Sequence, residues 1–396
     1  MRKFIGEKIV KINNKETHNS SNLKSIIILI ILFSIVFLVA RYITNEDFRL
    51  SVDTKILKKE VSDISLTTIE VDPDSNPSLY AYDKYIAILS KNTLTSYNSS
   101  GKISSELSVN IAVPIVETNG KYLVLAEQDS DKIYLISGSN IIWQKTVDGS
   151  IVRVNVNQNG YVSVVMKNTI YRSVVLYFDL NGNELFRSYI STNYAICTAI
   201  SNDNKYLAIG EVDFTGTIIK SYIKILSVEL AQTDPENSVI YVYEADNDSI
   251  ITNIKYQDKN IAVCMFDKYI QKVGIDSNER IYDFSDKDIF ADIHLKNNIA
   301  TITKQSSGLF SYEYEILIKS IESKSENLYI LNNGLPKSLV TNNSVMALNF
   351  GNEIQIVNSN GWMIKKYTSN KQISNIILGD SILGIVYKNR IEVIDF

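Results

Sequence analysis

Apolar residues run through most of this chain in short alternating stretches, and eight times such a stretch is opened by the same kind of turn, rich in Asn, Asp, Gly and Lys. The copies are Asp83-Lys84-Tyr85-Ile86, Asn119-Gly120-Lys121-Tyr122-Leu123, Asn159-Gly160-Tyr161-Val162, Asn204-Lys205-Tyr206-Leu207, Lys259-Asn260-Ile261, Asn297-Asn298-Ile299, Asn343-Ser344-Val345 and Asp380-Ser381-Ile382. From Ile86 to Ile382 they lie 37, 39, 45, 54, 38, 46 and 37 residues apart, close to the period of a four-stranded propeller blade. An inner strand precedes each copy, beginning near Pro77, Val113, Ile151, Ala195, Ile250, Phe290, Lys337 and Ile373, and the phrase itself opens the second strand. A hairpin then supplies the third and fourth, through turns such as Asn98-Ser99-Ser100-Gly101, Asn181-Gly182-Asn183 and Asn358-Ser359-Asn360-Gly361, whose residues tolerate positive φ.

The last unit has three strands before the chain stops at Phe396, while 65–72 alternates without a blade of its own. Adding that segment as the missing outer strand joins the two ends and leaves no open edge. The expected fold class is therefore all-β, an eight-bladed β-propeller over 64–396. Seven blades remain the alternative, with 295–335 as an insertion.

Ahead of the array, 25–40 is free of charge, and Tyr42 and Ile43 lengthen the run if Arg41 reaches the interface. This predicts a single transmembrane helix over 25–43. A cleaved signal peptide is disfavoured, because Leu38 stands where a small residue would be needed for a cut after Ala40. Residues 1–24 carry Arg2, Lys3, Lys8, Lys11, Lys15 and Lys24 against Glu7 and Glu16, a tail expected to stay in the cytoplasm with the propeller outside the cell membrane. Residues 44–63 read as a stalk, with a helical turn or more near 54–61.

The formal charge of the whole chain is −4. Setting aside +4 in the tail and +1 at Arg41 leaves −9 for 42–396, which argues against nucleic acid as a partner. Cys197 and Cys264 both sit in apolar strand patterns and read as buried thiols, with one disulfide as the alternative. His18 and His294 are the only histidines. No nucleophile elbow, zinc cluster or phosphate loop accompanies them. No catalytic, cofactor-binding or metal residue is assigned, and no cofactor is expected.

Carboxylates are the one reactive class in quantity, and three of the connections from second to third strand are polar or long, 127–131, 211–216 and 305–312, the first two of them acidic. These read as solvated loop tips, with calcium binding as the alternative. Tyr85, Tyr122, Tyr161 and Tyr206, at the head of the second strands, read as blade-to-blade packing rather than a sugar-stacking ladder. The insertion 231–238 is the longest departure from the repeat and stands as either a partner site or a surface excursion.

The glycine-turn hairpins, followed by bulky outer-strand rings at Trp143, Phe186 and Tyr282, resemble the degenerate repeats of quinoprotein-like, WD-repeat-like and outer-membrane-assembly-type propellers. The whole layout resembles a family of clostridial single-pass membrane proteins of unknown function with a propeller ectodomain. That resemblance implies no activity. The favoured expectation is a membrane-anchored extracytoplasmic scaffold that binds a protein or envelope polymer. The alternative is a cell-envelope glycan hydrolase using paired carboxylates on the propeller face.

Overall fold

The computed structural model describes residues 20–44, 48, 52, 66–306, 308 and 312–395, without the side chains of 20–26 and 44. The chain divides into two units, Met1–Lys59 and Glu60–Phe396. In the first, an α-helix α1 covers Ser20–Thr44. From Ile27 to Val39 its side chains are apolar apart from Ser34 and exposed all round, from Ile27 at 49% to Phe33 at 72%. Arg41 caps this stretch with its guanidinium 5.1 Å from the Phe48 ring. The helix spans the predicted segment 25–43 and starts earlier, yet among the described residues no helix is long and apolar enough to cross a membrane. The basic tail before residue 20 and nearly all of the stalk lie outside the described residues.

The second unit is an eight-bladed propeller of eight four-stranded antiparallel sheets. Blades 1 to 7 occupy 78–108, 114–146, 150–190, 194–244, 251–283, 288–331 and 338–368. Blade 8 combines 375–395 with Thr67–Glu70, which pairs with Arg390–Asp395 from Thr67↔Val393 to Glu70↔Arg390. The ring is thus closed by the segment the alternation singled out. The region weighed as an insertion, 295–335, instead holds the second to fourth strands of a complete sixth blade, including Asn298–Ser306 and Tyr312–Ser320.

Each inner strand alternates between the channel and the blade, and the second and third strands lie between neighbouring blades, so that several of them are covered on both faces and almost uniformly apolar. Val162–Lys167 and Ser173–Phe178 show the pattern, with only Lys167 exposed. Among the described residues the buried apolar side chains gather into eight clusters, one at each blade-to-blade interface. The recurrent tyrosines belong to these clusters. Tyr122 is buried, and a Cβ on Gly160 of the next blade would stand 2.8 Å from its ring. Trp143 uses the same device on Gly182, where a Cβ would come within 2.8 Å of the indole and φ is +79°.

The insertion packs more closely than its sequence suggested. A short helix α2, Val228–Thr233, is capped by Ser227 and buries Val228 and Ala231 at the interface of blades 3 and 4, and only its far side with Pro235–Asn237 projects. Cys197 and Cys264 are buried free thiols between blades 4 and 5. Burial pushes the Cys197 thiol up to about 12 and that of Cys264 well above its usual value.

Candidate functional site

The two ends of the propeller differ in kind. One carries the short turns from first to second and third to fourth strand, and can be called the turn face. The other carries the connections from second to third strand and from blade to blade, the loop face. At the turn face the central channel opens into a cavity of about 460 Å³ lined by all eight blades.

The recurring phrase builds this mouth, and its asparagines do more than permit turns. Asp83 N–H donates to Gly120 O at 3.1 Å, and Asn119 Nδ2 to Val156 O at 3.2 Å. Asn157 Nδ2 reaches Ser201 O at 3.1 Å and Asn204 Oδ1 at 2.6 Å, and Asn202 Nδ2 reaches Gln257 O at 3.4 Å. Lys255 Nζ crosses to His294 O at 2.9 Å and Lys296 O at 3.2 Å, and Thr341 Oγ1 donates to Asp292 Oδ1 at 3.0 Å. Asn342 Nδ2 bonds Gly379 O at 2.7 Å, and Asp380 N–H returns to Asp83 O at 2.9 Å. The eight blades are thereby joined in a closed polar ring.

Charged groups stand inside that ring. Glu117 borders the channel near the end of its inner strand, where burial raises its carboxyl against the opposing influence of His294 and Arg153. Burial would also raise Asp292, but bonds from His294 and Thr341 bring it below the usual carboxylate range. Asp292 Oδ1 takes the His294 N–H at 2.7 Å, and Oδ2 lies 3.3 Å from Nδ1, which fixes the ring. His294 therefore lies in the channel wall two residues beyond its strand, Asp288–Asp292, rather than within it. Lys255 makes a third bond, to Asn343 Oδ1 at 3.1 Å, and burial lowers its ammonium to about 8 with Asp292 opposing.

The polar connections fare differently. Asp129 pairs with Lys167 at 2.7 Å on the surface. Glu211 does not belong to a loop. It lies inside the strand Tyr206–Asp213, 1% exposed, with Lys224 at 2.8 Å and Asn193 at 2.9 Å. Of the third connection, 307 and 309–311 lie outside the described residues. Among the described residues no group of three His, Cys, Asp or Glu is placed to hold a metal.

The loop face carries exposed apolar side chains, among them Val113, Ile170, Tyr194, Phe214, Tyr312 and Leu335. The opposite face carries fewer, among the described residues Leu66, Ile103 and Val239 at the ends of outer strands. Arg172 Nη1 donates to Tyr194 Oη at 2.7 Å, and the Tyr194 ring lies 6.0 Å from Phe214, so part of this surface is held in a fixed array. Because Arg390–Asp395 runs from loop face to turn face, its antiparallel partner Thr67–Glu70 brings the chain into the propeller at the turn face.

Sequence reasoning singled out neither Glu117, Lys255 and Asp292 nor the loop-face array. The signal available was a charge at the last inward position of an otherwise apolar inner strand.

Several solved structures are similar in fold. BamB from Moraxella catarrhalis is 12% identical with a TM-score of 0.46, covering 85% of this chain and 98% of that one. The Cps50 (Swd1) β-propeller domain of Myceliophteria thermophila is 10% identical with a TM-score of 0.45, over 83% and 99%. Hydrazine synthase of Kuenenia stuttgartiensis is 10% identical with a TM-score of 0.40, over 85% and 97%. At these values they add nothing to what the strand pairing establishes. Among curated proteins none matches the chain in sequence. Its own repeats and closing strand fall within 58–396, the residues over which the chain belongs to the family of unknown function DUF5711.

Proposed function

We propose that the chain is a membrane-anchored, extracytoplasmic scaffold that docks a protein on the loop face of its propeller. The observation that carries this reading is the concentration of exposed apolar side chains in the connections of that face. Scattered single hydrophobics are ordinary on a surface, but a face that concentrates them in its connections, against Leu66, Ile103 and Val239 at strand ends of the opposite face, has the composition of an interaction surface. The spread of these residues from Val113 in the connection before blade 2 to Leu335 in that before blade 7 suits a broad protein surface of about 800 Å² per partner better than a narrow polymer chain. The uncharged stretch 25–40 within α1 and the basic residues before it support an anchor with the tail inside. The chain enters the propeller at the turn face, which leaves the loop face free of the closing segment.

The hydrolase alternative finds less support. Asp292 already accepts bonds from Thr341 and His294, which commits it to the ring.

Cross-linking of the full chain in intact cells tests the docking reading. A protein cross-linked by wild type, lost in Phe214→Asp and Ile170→Asp and kept in the turn-face variant Lys205→Asp, supports it. Equal capture by all three, or capture of polysaccharide alone, refutes it. Protease treatment of protoplasts tests the topology: the propeller is expected to be digested, and its protection would overturn the orientation.

A further inference from the structure

The channel mouth separates its charges by blade. Its acidic lining groups are Asp380, Asp83 and Glu117, on blades 8, 1 and 2, while Lys255, His294 and Lys296 come from blades 5 and 6. In an eightfold ring these two sectors face each other across the channel. Between them lie neutral amides and hydroxyls, such as Asn155 and Gln158 on blade 3 and Thr341 on blade 7.

The acidic sector holds no ion pair, although His294 and Arg153 act on Glu117 at longer range. Among the described residues no Lys or Arg nitrogen forms a salt bridge with Asp83, Glu117 or Asp380. Burial, and for Asp380 also the Asp83 charge, raises the Glu117 and Asp380 carboxyls, which disfavours their charged forms until a cation stands beside them. Asp380 leans toward blade 2, since a Cβ on Gly120 would stand 3.8 Å from its Oδ2.

The opposite sector is not equivalent throughout. All three N–H bonds of the Lys255 ammonium are committed, to His294 O, Lys296 O and Asn343 Oδ1. The side chain of Lys296 is exposed and makes no hydrogen bond or salt bridge among the described residues, while the His294 ring lies between Asp292 Oδ2, 3.3 Å from Nδ1, and Asn253 Nδ2, 3.4 Å from Nε2. A cavity of about 460 Å³ is of the size that takes a small molecule.

We propose that this mouth binds a small zwitterion, a free amino acid or the two ends of a short peptide, with its ammonium toward Asp83, Glu117 and Asp380 and its carboxylate toward His294 and Lys296. A lone cation would leave the nitrogen-bearing side unused, and a lone anion would face three carboxylates that form no ion pair. The amide walls between the sectors suit the peptide groups of a short chain.

Calorimetric titration of the purified full chain with glycylglycine, glycine, ethylamine and acetate tests this. Glycylglycine or glycine is expected to bind at least tenfold more tightly than either single-charge analogue, and the ranking of the two distinguishes peptide from amino acid. Glu117→Gln and Lys296→Ala are each expected to weaken binding about tenfold, the size of one charge-assisted bond, with unchanged thermal midpoints in the absence of probe. Should Glu117→Gln fail to fold, Asp83→Asn carries the same arm. Ethylamine binding as tightly as glycylglycine, affinity unchanged in the variants, or no heat from any probe at millimolar concentration would each overturn the proposal.

Discussion

Truncating Ile69 to Ala isolates the strand that closes the ring. Ile69 is 3% exposed and packs with Ile86, Ile382 and Ile391 at the interface of blades 8 and 1. Its neighbour Thr67 fits over Gly101, where a Cβ would come within 2.5 Å of Thr67 Cγ2, so the strand is seated by blade 1 as well as by blade 8. Removing three carbons costs about 2.5 kcal/mol in transfer free energy alone. The cavity left behind brings the total to about 3 kcal/mol. For a cooperative unit of roughly 330 residues, with an unfolding entropy of about 0.7 kcal/mol/K, that is a fall of about 4 °C in the thermal midpoint. The control is Thr68→Ala, exposed on the same strand, for which a change within about 0.5 kcal/mol is expected. Thermal and urea unfolding of the full chain read both. If Ile69→Ala destabilises no more than Thr68→Ala, the closing strand contributes nothing to the ring and the closure argument fails.

Three further outcomes are expected. Asn157→Ala removes two inter-blade bonds and the two that its Oδ1 accepts from Asn159 N and Tyr161 N. A loss of about 2–3 kcal/mol is expected, read as a lower urea midpoint at an unchanged slope. Lys224→Met leaves the buried Glu211 carboxylate without its ion partner and is expected to cost about 3–5 kcal/mol, part of which Glu211→Gln restores in a double-mutant cycle. Lys255 has a folded-state pKa lowered to about 8 against about 10.4 when unfolded. The unfolded chain then holds more protons between those values, so this residue's contribution to stability rises as pH climbs through that window. Subtracting the pH profile of Lys255→Met from that of wild type should show the rise, and a flat or falling difference would contradict it.

The eight blades were legible because their determinants are local. Alternation over five or six residues and a turn that tolerates positive φ mark each strand pair without reference to the rest of the chain, and 65–72 stood out as alternation left over. Charged residues misled where context decides. Glu211 follows an apolar run and a glycine, which resembles the start of a loop, yet Lys224 on the next strand lets it remain inside the sheet. The mouth was illegible for a different reason. Glu117 and His294 lie far apart in sequence, and inner-strand bulges at Ile151/Arg153, Ile251/Asn253 and Asp288/Phe290 change which side chains face the channel. Asparagine at a turn has a sufficient local explanation, so its second use as a strap between blades left no separate mark.

That second use explains where the ring is most polar. The apolar cluster between blades 5 and 6 has five buried side chains, Val263, Ile270, Ile293, Ile299 and Ile321, against sixteen between blades 2 and 3. At the thin interface Lys255 reaches across blade 6 to blade 7 and binds three acceptors. A committed ammonium there offsets what the core lacks, and also supplies positive charge to one side of the channel. The mouth is therefore constrained twice, by closure of the ring and by the charge pattern within it. The loop face has neither duty, and its connections carry exposed apolar side chains such as Ile170 and Phe214. A partner-binding surface can vary there without opening the ring.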